Sequence, residues 1–519
     1  MNADAPNGWA SGPLDLTADS LPAIAERIPV PTYPRSAIGT GIVHFGVGGF
    51  HRAHQAMYVD ALLNLGLDPD WGICGVGVMP ADREMQAALN KQDHLYTLVQ
   101  KHSDGRYEPQ VIGSIIDYLY APDDPEAVVA RLADDATRVV SLTITEGGYA
   151  IDDVTGRFNP DAPGIARDLA PGAGPTTVFG FVTEALKRRR RDGRPPFTIM
   201  SCDNLEGNGT HAREAFSEFA ALRDPALGDW IREEVRFPNS MVDRITPVTT
   251  NEDRAEITSR FGIKDKWPVV CEPFTQWVLE DSFVLSRPQF EEAGVQLVSD
   301  VAPYELMKLR LLNASHQGLA YFGYLCGYTY AHEAASDPVF RGFLRTYMDE
   351  EATPSLDPVP GVDLATYKPE LIERFSNPEI RDTIARLCAE SSDRIPKWVV
   401  PVIRYQLSVD GPIDHATAIV ASWARYAEGT DEHGRPIDVV DRRRDEIMAR
   451  AALHESDPTA FLQSPELFGE LSSNDRFVDA YLRALQSLHR HGARRTLEAL
   501  AAGAPLGEVD HAGGLTGSS

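Results

Sequence analysis

Through the first 300 residues the apolar positions fall in short unbroken runs rather than in alternation. "GIVHFGVG" (41 to 48), "WGICGVGVM" (71 to 79), "RVVSLTIT" (138 to 145) and "FTIMSC" (197 to 202) are each apolar at successive positions, the pattern of a strand buried on both faces. Between the last two, Val178, Phe181, Val182, Ala185 and Leu186 recur at i, i+3, i+4, i+7 and i+8, which predicts an amphipathic helix. From about His51, "HRAHQAMYVDALLNLG" places Met57, Val59, Leu62 and Leu63 near helical spacing and ends at Gly66, a natural C-cap. Buried strands alternating with helices predict an α/β domain with a parallel sheet, Rossmann-type and doubly wound, over residues 1–300.

Past residue 300 the pattern changes. "YELMKLRLLNASHQGLAYFGYL", "PELIERFSNPEIRDTIARLC", "HATAIVASWARYAEG" and "DRFVDAYLRALQSLHRHGARRTLEALAAG" all read as helices, so a mostly α-helical domain is expected over 301–505, with a disordered tail over 506–519. The basic run Lys187 to Arg191 closes a predicted helix, where cations complement the dipole.

Composition narrows the partners. At 519 residues the chain is long enough for several domains, and its formal charge of -27 repels phosphate backbones and anionic lipid; neither a nucleic acid nor a membrane is expected to bind it. The five cysteines, Cys74, Cys202, Cys271, Cys326 and Cys388, are scattered and contain no C-x-x-C pair, which argues against a disulfide framework or a zinc cluster. The amino terminus lacks a basic segment leading into an apolar one, and no run approaches the roughly 20 apolar residues that cross a bilayer. A cytoplasmic protein is expected.

Three segments carry candidate chemistry. "GVGGFHRAH" (46 to 54) starts as a dinucleotide-binding G-x-G-x-x-G turn with Gly46 and Gly48, then places His51 where the third glycine belongs. Gly49 and Phe50 complete this candidate cofactor turn, whose backbone can approach a pyrophosphate. Just past the second strand, Asp82 stands where an acidic residue takes the ribose hydroxyls of NAD, although farther from the glycines than the usual twenty or so residues. Arg83 beside it is suited to the 2′-phosphate of NADP; NAD is the favoured cofactor.

The second segment is "YELMKLRLLNASHQGLAYFGY" (304 to 324). At about 100° per residue, with Lys308 at zero, Glu305 falls near 60°, His316 near 80° and Asn313 near 140°, sharing one side of an otherwise apolar helix. Burial disfavours the ammonium form and would make Lys308 a usable general base; against this, Lys308 can be a surface residue and His316 a hydrogen-bonded core histidine. The third segment is "SCDNLEGNG" (201 to 209), whose Asn204 follows a strand and is placed to face the helix across a cleft, alongside Glu146 of "TITEGGY". His51 and His54 suggest a metal pair, but no further ligand cluster in the sequence supports one.

These segments, with "FPNSMVDRITP" (237 to 247), "EPFTQWVLED" and the K-x4-N-x2-H spacing of "KLRLLNASH", resemble the polyol-specific long-chain dehydrogenase family of mannitol dehydrogenases, arabinitol dehydrogenases and hexuronate reductases. The likeness is clear from about residue 40 to 320 and fainter to about 500. It implies a monomeric, metal-independent, NAD-dependent dehydrogenase interconverting D-mannitol and D-fructose. In it Lys308 is the general base, Asn204 and Asn313 stabilise the developing alkoxide, and His316 orients the substrate hydroxyl. Glu146 and Glu305 lie beside a proton path, Asp243 lines the substrate region, and Arg386 and Arg394 contact substrate hydroxyls; relatives often carry lysine where Arg394 stands. His51 belongs to the family's own form of the glycine turn. Other readings are a fructuronate or tagaturonate reductase, whose substrate carboxylate would meet the two arginines, a D-arabinitol dehydrogenase, and a catalytically silent NAD-binding sensor.

Overall fold

The apolar runs of the amino-terminal segment become the strands of one sheet. A computed structural model describes residues 12–151 and 157–507, and the chain divides into two compact units, Met1–Ala302 and Pro303–Ser519. In the first, strands β1 (Thr40–Phe45), β2 (Gly72–Gly77), β3 (Ile115–Tyr120), β4 (Val139–Leu142) and β5 (Thr198–Ser201) form a five-stranded sheet in the order β3-β2-β1-β4-β5, every pair parallel. This is the Rossmann-type order, and the direction of winding reverses between β1 and β4. Every residue of β2, β4 and β5 is buried, which is why their sequences read as continuous apolar runs. β3 is an edge strand with three of its residues half-buried, so "IIDYLY" carries no such signature.

Helices cover both faces. The segment expected as one helix from His51 is two, α1 (Gly49–Ala53) and α2 (Gln55–Asn64), broken at His54, whose φ of -124° and ψ of -93° are not helical. At the far end of α2, Leu67 N–H donates to the Leu62 carbonyl and Gly66 N–H to that of Leu63, both at 3.0 Å, with Gly66 at φ +74°. That is the left-handed glycine cap the sequence indicates. α3 (Asp82–Lys91) follows β2, and α4 (Val178–Arg191) packs Phe179, Phe181, Val182 and Leu186 into the core under β4 and β5. The basic end of α4 is structural. Arg189 is 1% exposed and donates to the carbonyls of Pro195, Asp134 and Thr137 at 2.8 to 2.9 Å, while Arg188 pairs with Glu126.

The second unit is helical; among the described residues no strand of a sheet lies beyond Val298. The 304 to 324 segment is not one α-helix. α5 (Ala302–Met307) passes through a π-helical turn at Lys308–Asn313 into α6 (Ala314–Leu325). "PELIERFSNPEIRDTIARLC" is likewise interrupted, with helices Leu364–Phe375 and Ile384–Cys388; Pro378 between them lacks the N–H a helix needs and disfavours helical backbone before it. α7 (Asp414–Ala427) packs against the long α8 (Asp475–Ala501), which kinks at Gly492, φ +80°. Of the tail expected at 506–519, residues 508–519 lie outside the described residues. All five cysteines are free; Cys326 is half-buried and the others buried.

Candidate active site

The glycine turn closes β1. Gly46 has φ +92°, and a Cβ there would stand 2.1 Å from the Thr143 carbonyl oxygen at the end of β4, so both the backbone angle and the neighbouring strand require glycine. Gly48 is different: a Cβ would meet nothing nearer than the Gly46 carbonyl at 3.9 Å, and the residue is exposed. The turn therefore leaves open backbone at the carboxyl end of β1, beside the reversal of winding, where α/β sheets of this kind take nucleotides. Gly49 and Phe50 begin α1, and Phe50 stacks on His54 at 4.9 Å.

His51, in place of the third glycine, is 1% exposed and stacks on His44 of β1 with ring centroids 3.4 Å apart and planes 12° apart. Two flat rings thus fill the gap between helix and strand that a glycine would have closed. Burial pushes His44 down to about 3 and His51 well below its ordinary value, so both imidazoles are neutral. His44 Nδ1 lies 2.8 Å from Ser141 Oγ, which in turn reaches Gln55 at 2.9 Å, and His44 Nε2 lies 3.0 Å from Thr143 Oγ1. His54 instead lies 3.0 Å from the Gln276 carbonyl and packs against Tyr58 and Trp277. The two histidines are each committed to different neighbours.

Asp82 opens α3, and its Oδ2 accepts from the N–H groups of Val78 and Met79 at 2.9 and 2.8 Å, shaping the turn that follows β2. Arg83 points to Asp123, with nitrogens 2.5 and 3.2 Å from its carboxylate oxygens, and lies over the Tyr120 ring at 4.5 Å. This arginine is held by a carboxylate 40 positions away along the chain.

The loops after β4 and β5 are tied together by Asp203, which the sequence reading passed over in favour of its neighbour. It is 6% exposed, accepts from the N–H groups of Thr145 (2.7 Å) and Ile144 (3.1 Å) and from Tyr149 Oη (2.7 Å), and burial raises its pKa. Thr145 is held at φ +63°, an uncommon conformation for a β-branched residue that these bonds secure. Asn204, next to Asp203, is exposed on the same loop. Glu146 begins a short 3₁₀ turn, Glu146–Tyr149; its side chain lies outside the described residues. Asp243, 4% exposed, ends the strand Ser240–Asp243. Asn208 joins these segments by donating to the carbonyls of Asp203 and Ser240 at 2.9 and 2.8 Å.

In the helical unit, Glu305, Lys308 and Asn313 are 6%, 9% and 6% exposed. The π turn changes their phasing. In an α-helix residue i+4 stands over residue i; in a π-helix i+5 takes that place. Asn313, five positions after Lys308 and at the close of the turn, therefore stands over the lysine instead of 140° away. The turn's widened bond is seen in Ala314 N–H, which donates to the Leu309 carbonyl. Asn313 Nδ2 is buried without a hydrogen-bond partner. His316, on the first turn of α6, lies against the Phe375 ring at 4.2 Å.

The two arginines are structurally engaged. Arg386 grips Asp382, itself 8% exposed, through two nitrogens at 2.5 Å, and that contact raises the guanidinium pKa further. Arg394 donates to the Leu387 carbonyl at 3.0 Å and stacks 5.7 Å from the Trp398 ring.

Comparison with known proteins places these features in a family. Residues 40–292 match the mannitol dehydrogenase Rossmann domain and residues 300–489 the mannitol dehydrogenase C-terminal domain. Mannitol 2-dehydrogenase of Phaeosphaeria nodorum is 46% identical over 499 residues, covering 95% of this chain and 87% of that protein. The enzyme of the same name from Neosartorya fischeri is 45% identical over 496 residues, 93% of this chain and 99% of that protein. Pseudomonas fluorescens mannitol 2-dehydrogenase, solved as a ternary complex with NAD and D-mannitol, superposes with a TM-score of 0.86 at 46% identity, covering 94% of this chain and 100% of that one. A D-sorbitol dehydrogenase solved in substrate-free form superposes at 0.85 with 37% identity, over 93% of this chain and 100% of that one. With both domains matched and with relatives this similar along nearly the whole length, the chain belongs to the mannitol dehydrogenase family.

Proposed function

We propose that this protein is an NAD-dependent polyol dehydrogenase that interconverts D-mannitol and D-fructose without a metal ion in the reaction, with Lys308 as general base. The observation that carries the reading is the buried set of Glu305, Lys308 and Asn313 on a π turn, in a family with a member solved on NAD and D-mannitol. A lysine and an amide taken out of water cost several kcal/mol unless they meet a partner, and π turns inside helices concentrate at functional sites.

NAD, when bound, supplies the hydride acceptor. The residues that would hold it are Gly46, Gly48, Gly49 and Phe50 at the end of β1, where open backbone at Gly48 fits a pyrophosphate, and Asp82, whose Oδ1 is not used by the turn that Oδ2 organises. The Arg83–Asp123 pair favours NAD over NADP: a 2′-phosphate arriving there would meet a neutralised guanidinium and a repelling carboxylate.

Lys308 accepts the proton of the substrate's secondary hydroxyl as general base. The unpartnered Asn313 amide donates to the oxygen as negative charge gathers on it, a role proposed also for the Asn204 amide, while His316 orients the hydroxyl. Glu305 and Glu146 pass the proton onward, and Asp243, Arg386 and Arg394 contact the remaining hydroxyls. These groups serve the charge a Lewis acid would otherwise serve. A polyol suits the site better than a hexuronate, because Arg386 is already paired with Asp382 and a substrate carboxylate would compete with a buried one. We place the enzyme in the cytoplasm as a monomer; no helix among the described residues is long and apolar enough to cross a membrane.

The likeness to D-sorbitol dehydrogenase favours a second reading, oxidation of D-sorbitol to the same ketose. Initial rates of NADH loss with D-fructose, D-fructuronate, D-tagaturonate and D-xylulose, and of NADH gain with D-mannitol, D-sorbitol and D-arabinitol, decide the matter. Preference for D-fructose and D-mannitol supports the proposal. Preference for D-sorbitol or D-arabinitol keeps the mechanism and changes the polyol. Preference for a uronate overturns the reading of the arginines, and cofactor binding without turnover would leave the chain as a sensor.

A further inference from the structure

A second cluster of ionisable side chains lies in the helical unit, apart from every residue given a part in catalysis. Glu428, His454 and His489 bring one ligating atom each to within 4.8 Å of one another. They come from three separate segments: Glu428 is the C-cap of α7, His454 follows the helix Arg444–Ala451, and His489 lies on α8. Glu428 Oε1 stands 3.0 Å from His489 Nε2 and 3.9 Å from His454 Nδ1, spacings that bracket the roughly 3.4 Å between neighbouring ligands of a tetrahedral ion bound at about 2.1 Å.

Three further observations set this cluster apart from an ordinary ion pair. Glu428 Oε1 is buried and, despite its nearness to His489, has no hydrogen-bond partner. Tyr481, 0% exposed, lines the same pocket with its hydroxyl also unpartnered. The carboxylate sits at the C-terminal end of a helix, where the dipole opposes negative charge. An unpartnered carboxylate oxygen in an unfavourable field and an unpartnered hydroxyl thus line one pocket, and a cation beside Glu428 would relieve the carboxylate.

We propose that Glu428, His454 and His489 form a binding site for a divalent transition-metal ion of the zinc class, structural in role and independent of the dehydrogenase reaction. Two imidazoles and one carboxylate are ligands that zinc accepts readily. One supporting contact is in place: Arg425 holds Glu428 Oε2 at 3.1 Å and leaves Oε1 to the metal. His454 Nδ1, now 3.3 Å from the Ala451 carbonyl, gives up that contact to ligate. The two rings now stack at 4.5 Å with planes 12° apart. Because a metal lies in the plane of each ring it binds, one ring must turn, and both are about as exposed as that requires, at 28% and 29%.

The test is calorimetric titration of the chelator-treated full-length protein with Zn²⁺, beside the variants His454→Gln and His489→Gln. The proposal expects saturable binding of one ion per chain, a rise in Tm with added Zn²⁺, and affinity at least roughly 100-fold weaker in each variant, the upper end of what even outer-shell substitutions cost. Turnover of the polyol checks that the variants are folded. Absence of saturable binding by the native protein overturns the site, as does binding of equal strength in both variants.

Discussion

Lys308 is an ordinary side chain in an unusual place, and its proposed chemistry follows from the place. Lys308→Ala is expected to lower kcat by roughly two to four orders of magnitude while NADH binding, followed by fluorescence titration, stays within about twofold; a small loss of kcat would refute the base. A second residue-scale expectation concerns Asp123. The carboxylate of the exposed Arg83–Asp123 pair neutralises the guanidinium and repels a 2′-phosphate, so Asp123→Asn is expected to raise the NADPH to NADH ratio of kcat/KM several-fold, and adding Arg83→Ala should cancel the gain. An unchanged ratio would remove Arg83 from the cofactor site. At this scale the sequence was uneven. Lys308, Asn313 and Glu305 were legible because polar residues in an apolar helix need a reason. Asp123 was not, since it lies 40 positions from Arg83 and only the sheet brings them together. Asp382 stands four positions before Arg386, a spacing that pairs charges on helices, yet it went unread as a partner.

Elements were most legible where burial was complete. β1, β2, β4 and β5 announced themselves as apolar runs, and the half-buried β3 did not. The break at His54 and the π turn at Lys308–Asn313 escaped because a fixed step of 100° per residue assumes a regular helix. The K-x4-N spacing was nonetheless a clue, since only a π turn stacks residues five apart. What holds that turn is also visible: Tyr347, fully buried, donates from Oη to the Arg310 carbonyl at 3.1 Å, and Arg310 itself reaches the Ser355 carbonyl. Tyr347→Phe is expected to destabilise the protein by about 1 kcal/mol, lowering Tm by roughly 2 to 4 °C, and to reduce kcat more than it raises KM. A loss of Tm with kcat intact would show that the hydrogen bond serves stability alone.

For the whole molecule, buried titratable groups set how stability responds to acid. His44, held down at about 3, and His51, held well below its ordinary value by burial, stay neutral in the folded chain while their unfolded counterparts gain protons below pH 6.5. Their contribution is present in full above that pH and is lost as pH falls, by about 1.4 kcal/mol per unit for each ring. Asp60, pushed up to about 6 by burial, works the other way: it keeps its proton when folded, and its contribution is lost as pH rises from about 4 to 6. Wild-type stability is a sum of opposing slopes, so the informative quantity is a difference. His51→Gln is expected to reduce the loss of unfolding free energy between pH 6 and pH 4 relative to wild type, measured by denaturant titration; equal slopes would mean that the stacked ring is protonated when folded. The parallel sheet carries one more consequence, for synthesis. β1 takes β4 as a neighbour almost a hundred positions later in the chain, so at roughly 5 to 20 residues per second it emerges from the ribosome several seconds before that partner exists. During this interval an apolar strand waits with a bare edge, and the yield of native protein depends on how quickly translation, or a chaperone, shortens the wait.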